Sequence, residues 1–260
     1  MPRTGLSELD RKLGPLGPGE LIVLGGLGGV GKSSLLRHLA IENSVRRSIP
    51  TLFLSLESNM SRIATDILAA QSRINSQKLQ SPALTESEQA RIRTAFAHMQ
   101  ASPLTIVARA DMTMALFEGI VRTHAQESDP PRLLLVDYLE LIAADDRLDV
   151  MLMLKRLAHR FDLPIVISTN SLTASNLRIP SGRPQLVDVG ELGIHADKVL
   201  LLHREKVYDL RTDNAWIMEV FIAKNRGGPK GLVHVAYFEE FLSYDNLEVT
   251  YEEPAKPEIP

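Results

Sequence analysis

The sequence Gly26-Leu27-Gly28-Gly29-Val30-Gly31-Lys32-Ser33 fits the pattern G-x-x-x-x-G-K-S/T at every required position. Residues 21–24 ahead of it form a short apolar run, which predicts a buried strand, and residues 34–43 behind it carry apolar side chains at helical spacing. Between a strand and a helix, a glycine-rich turn lets backbone N–H groups surround an anion, and the helix N-terminus adds its positive dipole end. The stretch predicts a phosphate-binding P-loop, against the alternative of a chance glycine turn.

In such a loop the lysine reaches the β- and γ-phosphates of a nucleotide, and the serine hydroxyl holds Mg²⁺. These roles fall to Lys32 and Ser33. The predicted nucleotide-binding residues of the loop are Gly26, Gly28, Gly29, Val30, Gly31, Lys32, Ser33 and Ser34. A P-loop alone indicates only that a nucleoside triphosphate binds, and hydrolysis needs further groups.

Composition sets limits on the other classes of function. The chain has 260 residues, of which 44% are hydrophobic and 23% charged, as in an ordinary globular protein. It contains no cysteine, so disulfides and cysteine-ligated metals are excluded. With no signal segment and no apolar run of membrane-spanning length, a cytoplasmic location is predicted. Because the net charge is −3, nucleic-acid binding would need a local basic lining.

Strand-like and helix-like segments alternate along the chain, which favours an α/β fold with a mainly parallel sheet. The predicted strands are residues 21–24, 51–56, 104–107, 133–136, 165–168, 199–203 and 216–223. The predicted helices after the P-loop are residues 61–72, 86–100, 112–126 and 148–161. Residues 225–229 read as the turn of an antiparallel edge hairpin. We interpret residues 1–247 as one ATPase domain and residues 248–260, rich in proline and glutamate, as a disordered tail.

Two further strands end in an acid. Leu133-Leu134-Leu135-Val136 is followed by Asp137, and Leu52-Phe53-Leu54-Ser55-Leu56 by Glu57. In an open α/β sheet the ligand lies beyond the carboxyl ends of the strands, so both acids should meet at the γ-phosphate side of the P-loop. Asp137 suits Mg²⁺ through water, and Glu57 suits deprotonation of the attacking water. The alternatives are a strand-ending aspartate bonded to backbone and a capping or ion-paired glutamate.

Several motifs resemble those of a known family. Residues 4–10, Thr-Gly-Leu-Ser-Glu-Leu-Asp, followed by the P-loop resemble RecA-like ATPases of the DnaB, RadA and KaiC groups. Later stretches narrow the resemblance to the C-terminal motor domain of DnaB-type replicative helicases: residues 55–57, 74–79, 84–88, 136–141, 163–167 and 224–231, then Phe241, Asp245 and Asn246. The resemblance spans residues 4–246. It implies a RecA-like P-loop NTPase core, a mainly parallel twisted sheet flanked by helices, with a C-terminal antiparallel edge hairpin.

The resemblance also implies roles for individual residues. Asn170 stands where the family usually has a glutamine that senses the γ-phosphate, and Arg204 resembles an arginine near the nucleotide base. Lys224 and Arg226 match a lysine and an arginine finger that reach the neighbouring subunit's ATP site. Read without the family, residues 224–230 are a basic surface turn.

The sequence also departs from the family pattern. Family members carry an N-terminal helical domain and a linker helix before the Thr-Gly motif, whereas this sequence begins three residues before Thr4-Gly5, so it is either a truncated chain or a naturally short relative. The segment after residue 139, which often forms a pore-facing loop in the family, is also shorter. The family's DNA-contacting Arg-Glu-Ser-Gly stretch aligns with residues 190–193, so Glu191 and Gly193 remain but the arginine is missing. Candidate substitutes for that cation are Arg178, Arg183 and Lys198, although the first two lie in a loop-like stretch that a solvated surface also explains.

We therefore predict an ATP- and Mg²⁺-dependent DnaB-like helicase motor, assembled as a homo-oligomeric ring, most simply a hexamer. By resemblance it would move 5′–3′ on single-stranded DNA and meet loader or other replication proteins. One alternative is a RadA- or KaiC-like ATPase that uses ATP for assembly or partner binding without unwinding. Another is a non-catalytic loader or decoy, which the presence of Lys32, Glu57 and Asp137 argues against.

Overall fold

The computed structural model describes residues 1–81, 83–170, 184 and 189–247. In chain order the strands are β1 Leu21–Gly25, β2 Thr51–Ser55, β3 Leu104–Ala108, β4 Met112–Thr113, β5 Leu133–Asp137, β6 Ile142–Ala143, β7 Ile165–Thr169, β8 Lys198–His203, β9 Ile217–Asn225, β10 Gly231–Phe238 and β11 Ser243–Asp245. The α-helices are α1 Ser7–Leu13, α2 Lys32–Ala40, α3 Met60–Ser72, α4 Glu86–Ala101, α5 Met114–His124, α6 Arg147–Arg160 and α7 Leu192–His195.

In the described part of the chain, one sheet holds nine strands in the order β11-β10-β9-β8-β1-β7-β5-β2-β3. Every pairing from β8 to β3 is parallel, and β9, β10 and β11 add to the β8 side in antiparallel fashion. The strands β4 and β6 form a separate parallel pair. The predicted α/β fold, with a mainly parallel sheet and a C-terminal antiparallel hairpin, is confirmed.

Helices cover both faces of this sheet and divide the apolar core in two. Ile22 and Leu24 of β1 join one cluster with residues of α1, α2 and α3, whereas Leu21 and Val23 join the other with residues of α5 and α6. All five residues of β1 are buried. A strand buried on both faces needs apolar side chains at consecutive positions, which is why the predicted strands read as continuous runs.

The structure corrects two predicted boundaries. Residues 112–126 do not form one helix, because Met112 and Thr113 form β4 and the helix begins at Met114. The Thr113 side chain accepts a hydrogen bond from the Leu116 N–H and so caps the helix at a later residue than apolar spacing suggests. The apolar pattern also places Trp216 in a strand, yet this residue precedes β9 and stays 44% exposed.

Two phenylalanines on helices offer a matched test of the core. Phe117 on α5 is completely buried, and Phe96 on α4 is 48% exposed. We expect Phe117→Ala to lower the free energy of unfolding by about 3–5 kcal/mol, because it removes buried ring contacts and leaves a cavity. Phe96→Ala should change it by less than about 0.5 kcal/mol. Urea unfolding of both variants measures the difference, and equal losses would contradict the described packing of α5.

Candidate functional site

The P-loop occupies the turn between β1, which ends at Gly25, and α2, which begins at Lys32. Gly31 has φ of 122°, and a Cβ atom there would lie 2.6 Å from the Tyr244 hydroxyl. A Cβ on Gly26 would lie 2.8 Å from Val30 Cγ1. Glycine is required at both positions, because a larger residue would collide with the walls of the loop.

Lys32 is 7% exposed and folds back over its own loop. Its Nζ donates hydrogen bonds to the carbonyl oxygens of Gly26 at 2.7 Å and Leu27 at 2.8 Å. Burial lowers the pKa of Lys32 to about 8, because a desolvated ammonium is disfavoured. Three nearby carboxylates work against this fall: Asp137, Glu140 and Glu57. The cation is thus held at the mouth of the loop by weak acceptors that a phosphate could replace.

Asp137 ends β5 beside the P-loop and is 2% exposed. Its Oδ1 accepts hydrogen bonds from the Ser33 hydroxyl at 3.1 Å and the Ser168 hydroxyl at 2.7 Å. Its Oδ2 is buried without a hydrogen-bond partner among the described residues. An unpaired buried carboxylate oxygen is costly, so this atom suits a cation or its water. The predicted pair of Ser33 and Asp137 therefore fits Mg²⁺.

This pair is a small ligand set for a metal. In the described ranges, no group of three or more His, Cys, Asp or Glu side chains could hold an ion. Mg²⁺ in phosphate-binding sites commonly takes one or two protein ligands and completes its shell with waters and phosphate oxygens. The arrangement around Asp137 is of that kind.

Glu57 and Asn170 open onto the same cavity as the loop. Glu57 follows β2, which runs parallel to β5 in a register that sets Ser55 opposite Asp137. Asn170 follows β7, and both side chains are exposed. The cavity measures about 330 Å³, and its lining residues include Gly28, Gly29, Gly31, Lys32, Ser33, Ser34, Glu57, Asp137 and Asn170. The structure thus brings together the predicted phosphate, metal and water-activating groups.

Glu140 takes a position that the sequence did not single out. It lies within a 3-10 turn just after β5, and its Oε1 accepts hydrogen bonds from the Thr169 hydroxyl at 2.6 Å and the Asn170 N–H at 2.8 Å. It joins the ends of β5 and β7 and adds negative charge near Lys32. The sequence feature that could have identified Glu140 is its position three residues after Asp137, the acid that ends β5.

Tyr138 directly follows Asp137 and lies within the electrostatic influence of these acids. Burial raises the pKa of its phenol, and the negative charges of Glu57, Glu140 and Asp137 raise it further. Tyr138 lines the cavity together with Glu57 and Asp137, and with its raised pKa it stays a neutral hydroxyl there.

Arg204 lies at the P-loop edge, directly after β8. It is 4% exposed, its Cζ lies 5.0 Å from the centroid of the Tyr237 ring, and its Nη1 lies 3.3 Å from Glu239 Oε2. Tyr237 and Glu239 line the 330 Å³ cavity and also an adjoining one of about 530 Å³. Arg204 supports this wall from behind, and its contact with a nucleotide base stays a prediction.

Arg226 lies at the opposite edge of the sheet. Its Nη1 is 3.4 Å from Asp197 Oδ1, and Asp197 Oδ2 accepts a hydrogen bond from the N–H of Leu21, the first residue of β1. The P-loop follows the last residue of β1, and at about 3.3 Å per residue a five-residue strand spans about 16 Å. Arg226 and its own P-loop are therefore separated by the length of β1.

Lys224, near the end of β9, is also at this far edge. Its Nζ donates to the carbonyl oxygens of Gly193 at 2.8 Å and Ile194 at 3.0 Å. Burial lowers the pKa of Lys224, and the positive charge of Arg226 lowers it further. The lysine is thus joined to the short helix α7, which Glu191 directly precedes.

The predicted nucleic-acid contacts are only partly within the described chain. Arg178 and Arg183 lie outside the described residues. Glu191 is exposed, and Gly193 is buried in α7. Lys198 is not available to a phosphate, because it is 3% exposed and its Nζ lies 2.6 Å from Glu20 Oε2. That substitute for the missing arginine is wrong, since the side chain is committed to an internal ion pair.

Helices of the described segments are either too short or too polar to cross a bilayer. The cytoplasmic location stays a prediction.

Comparison with known proteins identifies a matching family and solved structures with a similar fold. The model of the family described as "DnaB-like helicase C terminal domain" matches residues 3–246. The replicative DNA helicase DnaC of Bacillus subtilis is 28% identical over 98% of this chain and 58% of its own length. The replicative DNA helicase DnaB of Treponema pallidum is 30% identical over 93% of this chain and 55% of its own length.

A solved structure of a DnaB-like replicative helicase, described together with its interactions with primase, superposes with a TM-score of 0.87. The match has 24% identity and covers 95% of this chain and 62% of that one, and at this identity it shows the fold alone. The chain spans slightly more than half the length of the two curated relatives. Since the family match covers residues 3–246, the chain belongs to the DnaB-like helicase C-terminal domain family.

Proposed function

We propose that this chain is an ATP-hydrolysing motor whose active sites form between neighbouring copies in a ring and drive movement along single-stranded DNA. One observation carries the proposal: Arg226 and the P-loop lie at opposite edges of the same sheet. An arginine that cannot serve its own P-loop can serve the one presented by the next copy. Residues 1–247 would act as one ATPase domain, and the tail 248–260 lies outside the described residues.

The chemistry follows from the groups around the 330 Å³ cavity. Backbone N–H groups of the loop and the Lys32 ammonium would bind the β- and γ-phosphates of ATP. Glu57 would accept a proton from the water that attacks the γ-phosphorus, while the bond to the β–γ bridging oxygen breaks and ADP leaves. Mg²⁺ held by Ser33 and, through water, by Asp137 would neutralise charge on the phosphate oxygens. Asn170, which lines the same cavity, would sense the γ-phosphate.

The neighbouring copy would contribute the missing cations. The Arg226 guanidinium would neutralise charge that builds on the transferred phosphoryl oxygens, and Lys224 would approach the same site. Both residues lie at an exposed edge, in or beside the turn between β9 and β10. A hexamer is the ring expected for this family resemblance.

Among the proposed activities, DNA binding is the one for which the described residues offer the fewest candidate contact groups. The relatives' names describe replicative DNA helicases, which supports single-stranded DNA as the track. The net charge of the chain is −3, Lys198 is ion-paired internally, and the Lys224 ammonium beside residues 190–193 is already bonded to the Gly193 and Ile194 carbonyl oxygens. We therefore propose binding that is weak, salt-sensitive and independent of sequence. The family match favours this motor over the RadA- or KaiC-like alternative.

Two variants separate nucleotide binding from hydrolysis. Lys32→Ala removes the cation from the loop and should weaken ATP binding as well as turnover. Glu57→Gln keeps the shape but accepts no proton, so binding should survive while turnover falls by about 10²-fold or more. Nucleotide titration and steady-state phosphate release measure both effects. Near-normal turnover in Glu57→Gln would remove Glu57 from the mechanism.

The lowered pKa of Lys32 predicts a pH dependence of nucleotide affinity. Below its pKa of about 8 the lysine is charged, and phosphate binding needs that charge. As pH rises above 8 the free protein loses the proton and must regain it on binding, so ADP affinity should fall by about tenfold per pH unit. ADP titrations at pH 7 to 9.5 measure this. Lys32→Arg is the control, since its guanidinium stays charged; the same slope in both proteins would contradict the assignment.

Mixed rings test whether Arg226 acts on the neighbouring copy. Arg226→Ala should bind ATP normally yet hydrolyse almost none, because its charge is needed mainly in the transition state. Mixing Arg226→Ala with Lys32→Ala creates interfaces that combine an intact P-loop with an intact Arg226. Such mixtures should regain hydrolysis that neither variant shows alone.

The mixing is done at high protein concentration with Mg-nucleotide, followed by addition of single-stranded DNA. A wild-type monomer whose turnover per chain stays constant on dilution would refute the interface site. Recovered hydrolysis that single-stranded DNA does not stimulate would favour the alternative function, an ATPase that does not move along DNA.

A further inference from the structure

Asp197 contacts both Arg226 and the first residue of β1, a central strand of the sheet. It is 7% exposed and lies between α7 and β8. One carboxylate oxygen, Oδ2, accepts hydrogen bonds from the Leu21 N–H at 2.8 Å and from the Lys155 ammonium. The other, Oδ1, lies 3.4 Å from Arg226 Nη1. The backbone N–H of Arg226 also donates to the Asp197 carbonyl at 3.1 Å.

These contacts hold the Asp197 carboxylate on both of its oxygens. Burial acts to raise the pKa of Asp197, but the Leu21 N–H and the positive charges of Lys155 and Arg226 outweigh it and lower the pKa below its usual value. The carboxylate is therefore charged at neutral pH. Its Oδ2 is occupied by a strand backbone and a lysine, which leaves Oδ1 to face Arg226.

The Arg226 side chain, in contrast, is largely exposed to solvent. It is 60% exposed, and in the described part of the chain Asp197 is the carboxylate that pairs with it. A long exposed side chain samples many rotamers, and each must be given up when the guanidinium binds a phosphoryl group. The Asp197 carboxylate lies beside the guanidinium, and the Arg226 backbone N–H is bonded to the Asp197 carbonyl, so the two contacts together narrow the directions the side chain can take.

We propose that Asp197 is a positioning residue that pre-orders Arg226 for the ATP site of the neighbouring copy. The inference rests on the proposed interface site. Arg226 would touch the transferred phosphoryl group, and Asp197 would act only through Arg226. Pre-ordering raises the rate because less freedom is lost on reaching the transition state.

The substitution Asp197→Asn tests this with little change in shape. The amide oxygen can still accept the Leu21 N–H, but the negative charge facing Arg226 is gone. We expect kcat to fall by about two- to fivefold, the range that a partly exposed ion pair can account for, with ATP affinity unchanged. Glu118→Gln is the matched control, because Glu118 pairs with Arg122 and Arg160 on α5 and α6 and should leave kcat unaltered.

Mixed rings show whether the effect passes through Arg226. In a mixture of Lys32→Ala and Arg226→Ala copies, the Lys32→Ala copies supply the arginine and the Arg226→Ala copies supply the working P-loop. Adding Asp197→Asn to the Lys32→Ala copies should lower the recovered rate by about two- to fivefold. Adding it to the Arg226→Ala copies should not, because those copies have no arginine to position.

The other outcomes are equally informative. A loss only when Asp197→Asn is placed in the P-loop copies means that Asp197 supports β1, and this overturns the inference. Equal losses in both placements, or none in either, overturn it too. If the parent mixture recovers no hydrolysis, the proposed interface site itself fails, whatever Asp197 does.

Discussion

The parallel alignment of β8, β1, β7, β5 and β2 is the constraint on which the site depends. Parallel strands place all their carboxyl ends at one edge of the sheet. Residues far apart in the chain meet there, because Asp137 ends β5, Asn170 follows β7, and Ser33 lies in the first turn of the helix after β1. The same alignment leaves the other edge to strand beginnings, where Asp197 and Arg226 lie.

At the P-loop edge, Lys32 and Asp137 are placed to bind a ligand that carries phosphate and Mg²⁺. Lys32 is buried against carbonyl oxygens, and Asp137 keeps one buried oxygen without a hydrogen-bond partner among the described residues. Each arrangement costs free energy in the protein alone. A magnesium-bound triphosphate would satisfy both at once, so part of its binding free energy would come from relieving them.

The two edges divide the work of hydrolysis between copies in the proposed ring. The P-loop edge holds the groups that would bind phosphate and activate water, and the far edge holds Lys224 and Arg226. Lys224 is bonded to the carbonyls of α7, beside the predicted DNA-contacting residues 190–193. In the proposed ring, Lys224 would serve the neighbouring ATP site and also support the predicted DNA-contacting segment. The end of β9 would then couple ATP hydrolysis to the DNA contact.

The sequence by itself determined the P-loop, the α/β alternation and the acids Asp137 and Glu57, because glycine spacing and apolar runs are local properties of the chain. Only the tertiary structure decided that Lys198 is paired with Glu20, that Glu140 joins β5 to β7, and that Asp197 is paired with Arg226. These pairs are joined by strand order and register, which bring residues together across long stretches of sequence. Whether a charged side chain is free or paired depends on those neighbours, and no local pattern specifies them.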